Sequence, residues 1–215
     1  MTTKSSSLVS DSASAIVLHR FGLSGHAHRV QLFLSLLGLP HRIVEVNLLA
    51  GEHKKPEFLK KNPLGKVPVI EDGELTLWDS NAILMYLAQR YDRSRTYWPE
   101  EPVAAARVQS FLSLAAGPLA YGPAALRVHA LFKSRLDVEA AMTTTTNLFG
   151  YFENILSQQR FLSAPHPTLA DVACYTYTAH APEGGFSLEP YPAVRAWLTS
   201  VEALPGFVPM QRTPS

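Results

Sequence analysis

Apolar and polar positions follow two different rhythms along the chain. Ala15-Ile16-Val17-Leu18-His19-Arg20-Phe21 is a short run rich in β-formers, closed by Gly22, and reads as a strand. From His26 to Leu37 the apolar positions Val30, Leu32, Phe33, Leu34, Leu36 and Leu37 cover one broad helical face. Gly38-Leu39-Pro40 stops that helix. His41 to Val46 alternates like a strand around Ile43 and Val44, which makes a β-α-β unit with parallel strands and a right-handed crossover. A polar stretch, Gly51-Glu52-His53-Lys54-Lys55-Pro56, leads into a short helix near Glu57 to Lys61. Asn62-Pro63-Leu64-Gly65 reads as a turn and Val67 to Ile70 as a strand. Asp72-Gly73 is a hairpin signal, and Leu75-Thr76-Leu77 is the returning strand. A helix from about Ser80 to Tyr91 buries Ile83, Leu84, Tyr86 and Leu87. The predicted order is β-α-β-α-β-β-α.

Beyond Tyr91 the strand signal disappears. Val103 to Leu114, Leu119 to Phe132, Val138 to Leu156, Leu169 to His180 and Ala193 to Leu204 read as helices, with Pro118 and Pro123 expected to kink or break the first of them. The chain therefore divides into an α/β domain at 15–92, a polar, proline-bearing linker at 93–102 and an all-helical domain at 103–215. Residues 1–14, which begin with the Ser/Thr-rich Met1–Ser12, are expected to be a disordered tail without the apolar core of a signal peptide.

Composition removes several function classes. With 19 basic against 18 acidic residues in 215, there is no electrostatic reason to expect nucleic acid as a partner. No apolar run is expected to reach the roughly 18 residues of a membrane span, and no basic helix suggests a membrane surface. A cytoplasmic location follows by default. The single cysteine, Cys174, rules out an internal disulfide and a Cys-rich metal site, and no metal is expected.

Three places in the first domain carry chemistry. Ser24 lies in the loop between the first strand and the first helix, where ligands of open α/β sheets collect. It either caps that helix or sits where a hydroxyl and the helix dipole favour a thiolate. Val67-Pro68 is either a trans pair opening an edge strand or a cis turn that aims the Val67 backbone outward to pair with a peptide-like ligand. Asp79-Ser80 opens the last helix. The pair either caps it or receives an amino-acid group, with Asp79 taking the ammonium and Ser80 and the terminal N–H groups the carboxylate.

Taken in order, Ser24, His53-Lys54 before Pro-Glu-Phe-Leu, Asn62-Pro-x-Gly-Lys-Val-Pro68 and Asp79-Ser80-Asn81-Ala-Ile83 resemble the glutathione transferase family over essentially all of Ala15 to Pro209. The resemblance implies a thioredoxin-like first domain, with the β-α-β-α-β-β-α order above, and an all-α helical bundle. Pro167-Thr168-Leu169-Ala170-Asp171 resembles that family's buried capping box, a structural motif in which Asp171 reaches back to Thr168.

By resemblance, glutathione is the co-substrate and Ser24 the donor to its sulfur, as in serine-type bacterial and plant members. The absence of Tyr or Cys in Leu23-Ser24-Gly25 argues against the tyrosine- and cysteine-type members. His26 matches a second polar contact to the sulfur in some relatives. His53 and Lys54 would hold the glycine carboxylate, with Lys66 along the peptide or on the same carboxylate. Val67, before cis-Pro68, would pair with the cysteinyl backbone, and Asp79 and Ser80 would hold the γ-glutamyl end. Asp79 stands where many relatives have Glu, so its reach is shorter.

The second substrate implied is a small hydrophobic electrophile, with Leu119, Tyr121, Gly122, Leu126, Tyr175, Tyr177 and His180 as wall residues; the sequence leaves open whether Arg127 and His129 face the cleft. The expected reaction is attack of the glutathione thiolate on a carbon electrophile, in a homodimer. The rivals are other glutathione chemistry (peroxide reduction, isomerisation, dehalogenation, disulfide reduction) and a weakly active binding or scaffold protein.

Overall fold

The structure is a computed structural model and describes residues 15–213. The expected disordered tail, 1–14, lies outside the described residues. Four strands, β1 (Ile16–Arg20), β2 (His41–Glu45), β3 (Val69–Asp72) and β4 (Leu75–Trp78), form one sheet in the order β2-β1-β3-β4. β1 and β2 are parallel, while β3 is antiparallel to both β1 and β4. β1 sits between two neighbours, and its Leu18 is fully buried. Helices α1 (Gly25–Leu36), α2 (Pro56–Leu59) and α3 (Ser80–Tyr91) complete the domain in the expected order. The polar stretch before α2 holds a 3₁₀ turn, Glu52–Lys54, that apolar periodicity could not reveal.

The helical domain contains α4 (Pro102–Ala116), α5 (Pro118–Tyr121), α6 (Pro123–Phe132), α7 (Val138–Leu156), α8 (Leu169–Ala179) and α9 (Pro192–Glu202). Pro118 and Pro123 leave the first helix intact. Each instead starts a new helix at its first position, directly after a glycine, because proline lacks the N–H that a helix interior needs. The helix expected over Leu119–Phe132 is therefore two helices. Gly122 permits the break: a Cβ there would lie 2.8 Å from Thr145 Oγ1 and 2.9 Å from the Pro118 carbonyl.

Pro102–Phe132 taken as one stretch is long and apolar enough to cross a membrane, contrary to the expectation that no such run exists. Here it is divided into three helices, which pack against α7 and α8.

α8 is the hub. Every residue from Leu169 to Thr178 is buried, and the helix packs against α1, α3, α4, α5, α6 and α9. Its start is the expected capping box. Asp171 accepts from Thr168 N at 2.8 Å, and also from Leu162 N and Trp197 Nε1, each at 2.9 Å. One apolar core runs from β1 and α1 through α8 to α9, so the two domains share it.

Candidate functional site

A cleft of about 310 Å³ opens where the start of α1, the turn before β3 and the start of α3 meet the α4–α5 corner. That volume is at the lower end of small-molecule sites. His26, Lys66, Val67, Pro68, Asp79 and Ser80 all line it, so six expected site residues from three separate chain segments converge. The Val67–Pro68 bond is cis.

The turn leading to Val67 is braced by Asn62, whose buried side chain donates to the Lys66 carbonyl at 2.7 Å and accepts from Leu64 N at 3.0 Å. Asp79 has φ +73°, a conformation costly for a residue with a Cβ and found mainly where surroundings impose it for function. Its Oδ1 accepts from the N–H groups of Asn81 and Ala82, both at 3.0 Å, and so caps α3. The cap and the acid on the cleft wall are one residue.

Ser80 is buried beneath the cleft. Its Oγ lies 3.4 Å from both His26 Nδ1 and Arg29 Nη1. Arg29 is fully buried, donates to Asn81 Oδ1 at 2.9 Å, and lies over the Tyr177 ring at 5.9 Å. Its Nε and Nη2 have no partner among the described residues. Burial lowers its affinity for the proton, with opposing help from Tyr177, Cys174 and Asp79. Burial, then the charges of Arg29 and Lys66, hold the His26 imidazole down to about 3, so it is neutral at ordinary pH with a single N–H to give.

The wall of the cleft thus carries cations at Arg29 and Lys66, one carboxylate at Asp79, and neutral polar groups at His26, Ser80 and Asn81. That set suits a zwitterionic, peptide-like ligand with more carboxylates than ammonium groups.

Ser24 is half-buried and caps α1, accepting from Ala27 N at 3.3 Å. It stands two residues before His26 but is not on the cleft wall. The next residue, Gly25, is pressed against the helical domain: a Cβ there would lie 2.6 Å from Tyr177 Cζ. His53 and Lys54 sit on the 3₁₀ turn, outside the wall. That turn rests on Gly65, where a Cβ would meet the His53 carbonyl at 2.9 Å and Lys54 Nζ at 3.1 Å. His53 Nδ1 is buried without a partner among the described residues.

The sequence matches a known family. The chain matches the model of the glutathione S-transferase N-terminal domain over residues 16–89 and that of the C-terminal domain over 109–205. It belongs to the glutathione S-transferase family. Among its relatives, glutathione S-transferase D7 of Anopheles gambiae is 30% identical, over 85% of this chain and 84% of that protein. Glutathione S-transferase theta-1 of Rattus norvegicus is 31% identical, over 86% and 81%. A crystal structure of glutathione S-transferase from Pseudomonas fluorescens superposes with a TM-score of 0.85 at 31% identity, covering 93% of this chain and all of that one. A Drosophila mojavensis glutathione transferase homologue, solved with bound glutathione, gives 0.81 at 27% identity, with 89% of each chain covered.

Within this glutathione S-transferase fold most of the expected electrophile wall lies off the cleft. Leu119, Leu126, Tyr175, Tyr177 and His180 are buried in the protein interior, because α8 is enclosed by its neighbours and α5 and α6 turn these leucines toward them. Tyr175 donates to Glu202, and His180 faces Glu183. Gly122 is buried at the α5–α6 break and His129 faces the Ser134 carbonyl. Of the named residues only Tyr121, 72% exposed, reaches the cleft, joined there by Ala116 and Ala120.

Arg29, Asn62, Trp78 and Asn81 also line the cleft and were not singled out as site residues. Arg29 did leave a signal: a charged residue at the start of the apolar spacing Arg29, Leu32, Phe33, Leu36 is out of place on a buried face.

Proposed function

We propose that this protein conjugates the thiolate of glutathione to a small hydrophobic electrophile. The observation that carries the reading is the convergence of Lys66-Val67-cis-Pro68 and Asp79-Ser80-Asn81 on one cleft, with charges that complement a γ-glutamyl tripeptide. The free Val67 backbone pairs with the cysteinyl residue as an added strand would. Ser80, through its hydroxyl and its N–H at the first position of α3, takes the γ-glutamyl carboxylate, supported from beneath by Arg29. Asp79 takes the ammonium. His53 and Lys54, on the turn beside Gly65, take the glycine carboxylate together with Lys66.

The sulfur then lies toward the start of α1. There the Ser24 hydroxyl turns from capping to donating, the His26 N–H adds a second donor, and the helix dipole favours negative charge. The protein lowers the thiol pKa and aligns the sulfur, and the electrophile is placed against Tyr121 and the α4–α5 corner. We place the enzyme in the cytoplasm as a homodimer; the exposed Leu64, Leu75, Trp78 and Val103 supply apolar surface for a partner subunit.

The test is turnover of a panel of electrophiles, hydroperoxides and disulfides with glutathione, in wild type and Ser24→Ala. Conjugation is expected to dominate, and the variant to lose about tenfold or more in kcat/KM, as when one charge-assisted hydrogen bond in the transition state is removed. Unchanged activity in Ser24→Ala would remove Ser24 from the chemistry, and turnover of peroxides alone would replace conjugation with reduction.

A further inference from the structure

Against the residue before Ser24 lies a buried charge cluster contributed by the helical domain. Arg127 of α6 is 1% exposed. Its Nε donates to Glu183 Oε2 at 2.6 Å, and its Nη1 crosses to the first domain and donates to the Leu23 carbonyl at 2.8 Å. Leu23 directly precedes Ser24. Nη2 is buried with no partner among the described residues.

Glu183 lies in the 3₁₀ turn Ala181–Gly184 and is itself fixed from two further sides. His180 Nδ1 is 2.6 Å from its Oε1, and Thr213 Oγ1 donates to its Oε2 at 2.6 Å. Burial pushes the Glu183 carboxyl up, but hydrogen bonds from Thr213, His180 and Arg127 win and hold it down to about 2. It is therefore ionised throughout the working range. Burial lowers the His180 imidazole below its ordinary value, with Glu183 opposing and Arg127 and Arg212 reinforcing.

A surface brace would not need this arrangement. A guanidinium taken out of water is costly unless its geometry is well satisfied, and hydrophobic residues fill such a space more cheaply. Burial pushes the Tyr177 phenol up, and the charges of Arg29 and Arg127 pull it back. Tyr177 is the residue against which Gly25 packs.

We propose that Arg127 is a positioning residue that fixes the Leu23–Ser24 peptide and supplies the positive potential that keeps bound glutathione as thiolate. The inference rests on the glutathione reading above. It makes the acidity of the sulfur site depend on the helical domain, through one hydrogen bond and one buried charge whose strength Glu183 moderates. The charged and titratable groups around Arg127 are Glu183 and His180, with Arg212 of the C-terminal segment also acting on His180, and Tyr177 of α8, on which Arg29 of the first domain also acts.

The experiment follows the ultraviolet absorbance of the thiolate in the complex of the full chain with glutathione, as a function of pH. Arg127→Met is expected to raise the apparent pKa of the bound thiol by about one pH unit. Arg127→Lys, which keeps the charge but cannot reach Glu183 and Leu23 together, should recover part of that rise. Glu183→Gln keeps the hydrogen-bonding shape while removing the opposing charge, so it should move the pKa down.

Opposite signs for Arg127→Met and Glu183→Gln are the signature of an electrostatic role. A rise in both shows a mere brace and overturns the proposal, as does an Arg127→Met complex with the wild-type pKa. If Arg127→Met does not fold, Arg127→Lys and Glu183→Gln make the same comparison. A wild-type protein that gives no thiolate signal with glutathione overturns the functional reading, and the inference with it.

Discussion

Asp79 shows how much one carboxylate can carry. Its Oδ1 caps α3, its backbone sits at φ +73°, and its charge faces the cleft. Asn at this position keeps the cap and tolerates positive φ but has no charge. Asp79→Asn is therefore expected to raise the KM for glutathione about tenfold, the scale of one charge-assisted hydrogen bond, with the melting temperature and the KM for the electrophile nearly unchanged. Steady-state kinetics with each substrate varied in turn checks it, and a large fall in melting temperature would show that the charge serves the fold instead. The sequence made Asp79 and Ser80 visible because helix starts have a recognisable chemistry. Of Arg29 it showed only a charge on a buried helical face, whose meaning appears once the α3 start is brought against it. It also left the wall residues of α8 misplaced, since aromatic side chains at helical spacing look the same in a core and in a pocket.

At the scale of elements, the junctions explain more than the helices do. α5 and α6 are separate because a glycine and a proline meet twice, and the second glycine lets Thr145 of α7 approach where any side chain would collide. α8 starts on a carboxylate that satisfies backbone and indole N–H groups from three places in the chain. Asp171→Ala leaves the Leu162 and Trp197 donors unpaired in the interior and removes the cap. The expected loss is about 3 kcal/mol, or a fall of about 10 °C in melting temperature, read by thermal unfolding. A drop of only one or two degrees would mean that water replaces the carboxylate. Element order and type were legible in the sequence because each strand and helix has its own apolar rhythm. The 3₁₀ turns Glu52–Lys54 and Ala181–Gly184 were not, since neither is long enough to have a rhythm.

Across the whole molecule, the two domains are joined by buried polar contacts as well as by shared core. His28 of α1 reaches Thr176 Oγ1 on α8 and the Val208 carbonyl of the C-terminal segment, each at 2.9 Å. Burial holds its imidazole down to about 4, against the hydrogen bond to Val208 that raises it. A histidine whose folded pKa is depressed stabilises the fold fully above its ordinary value of 6.5. That contribution is lost as pH falls from there toward 4. For a group this buried the loss is on the order of 3 kcal/mol. The melting temperature is expected to fall steeply between pH 6.5 and pH 4, and His28→Gln to flatten the curve over that interval; identical slopes for the two proteins would assign the acid sensitivity elsewhere.

The contact between Gly25 and Tyr177 has a consequence for how this scaffold can change. The position after Ser24 admits no side chain while the tyrosine ring stands 2.6 Å from where its first carbon would go. Ser24, on one side, is half-buried and clear of that ring, while His26, on the other, lies edge-on to it with centroids 5.1 Å apart. Natural drift and laboratory libraries alike can therefore vary position 24 first, and new polar groups at the start of α1 should emerge there. Variation at 25 becomes open only to lineages that first shrink residue 177, an ordering that a library randomised at all four positions would reveal in its survivors.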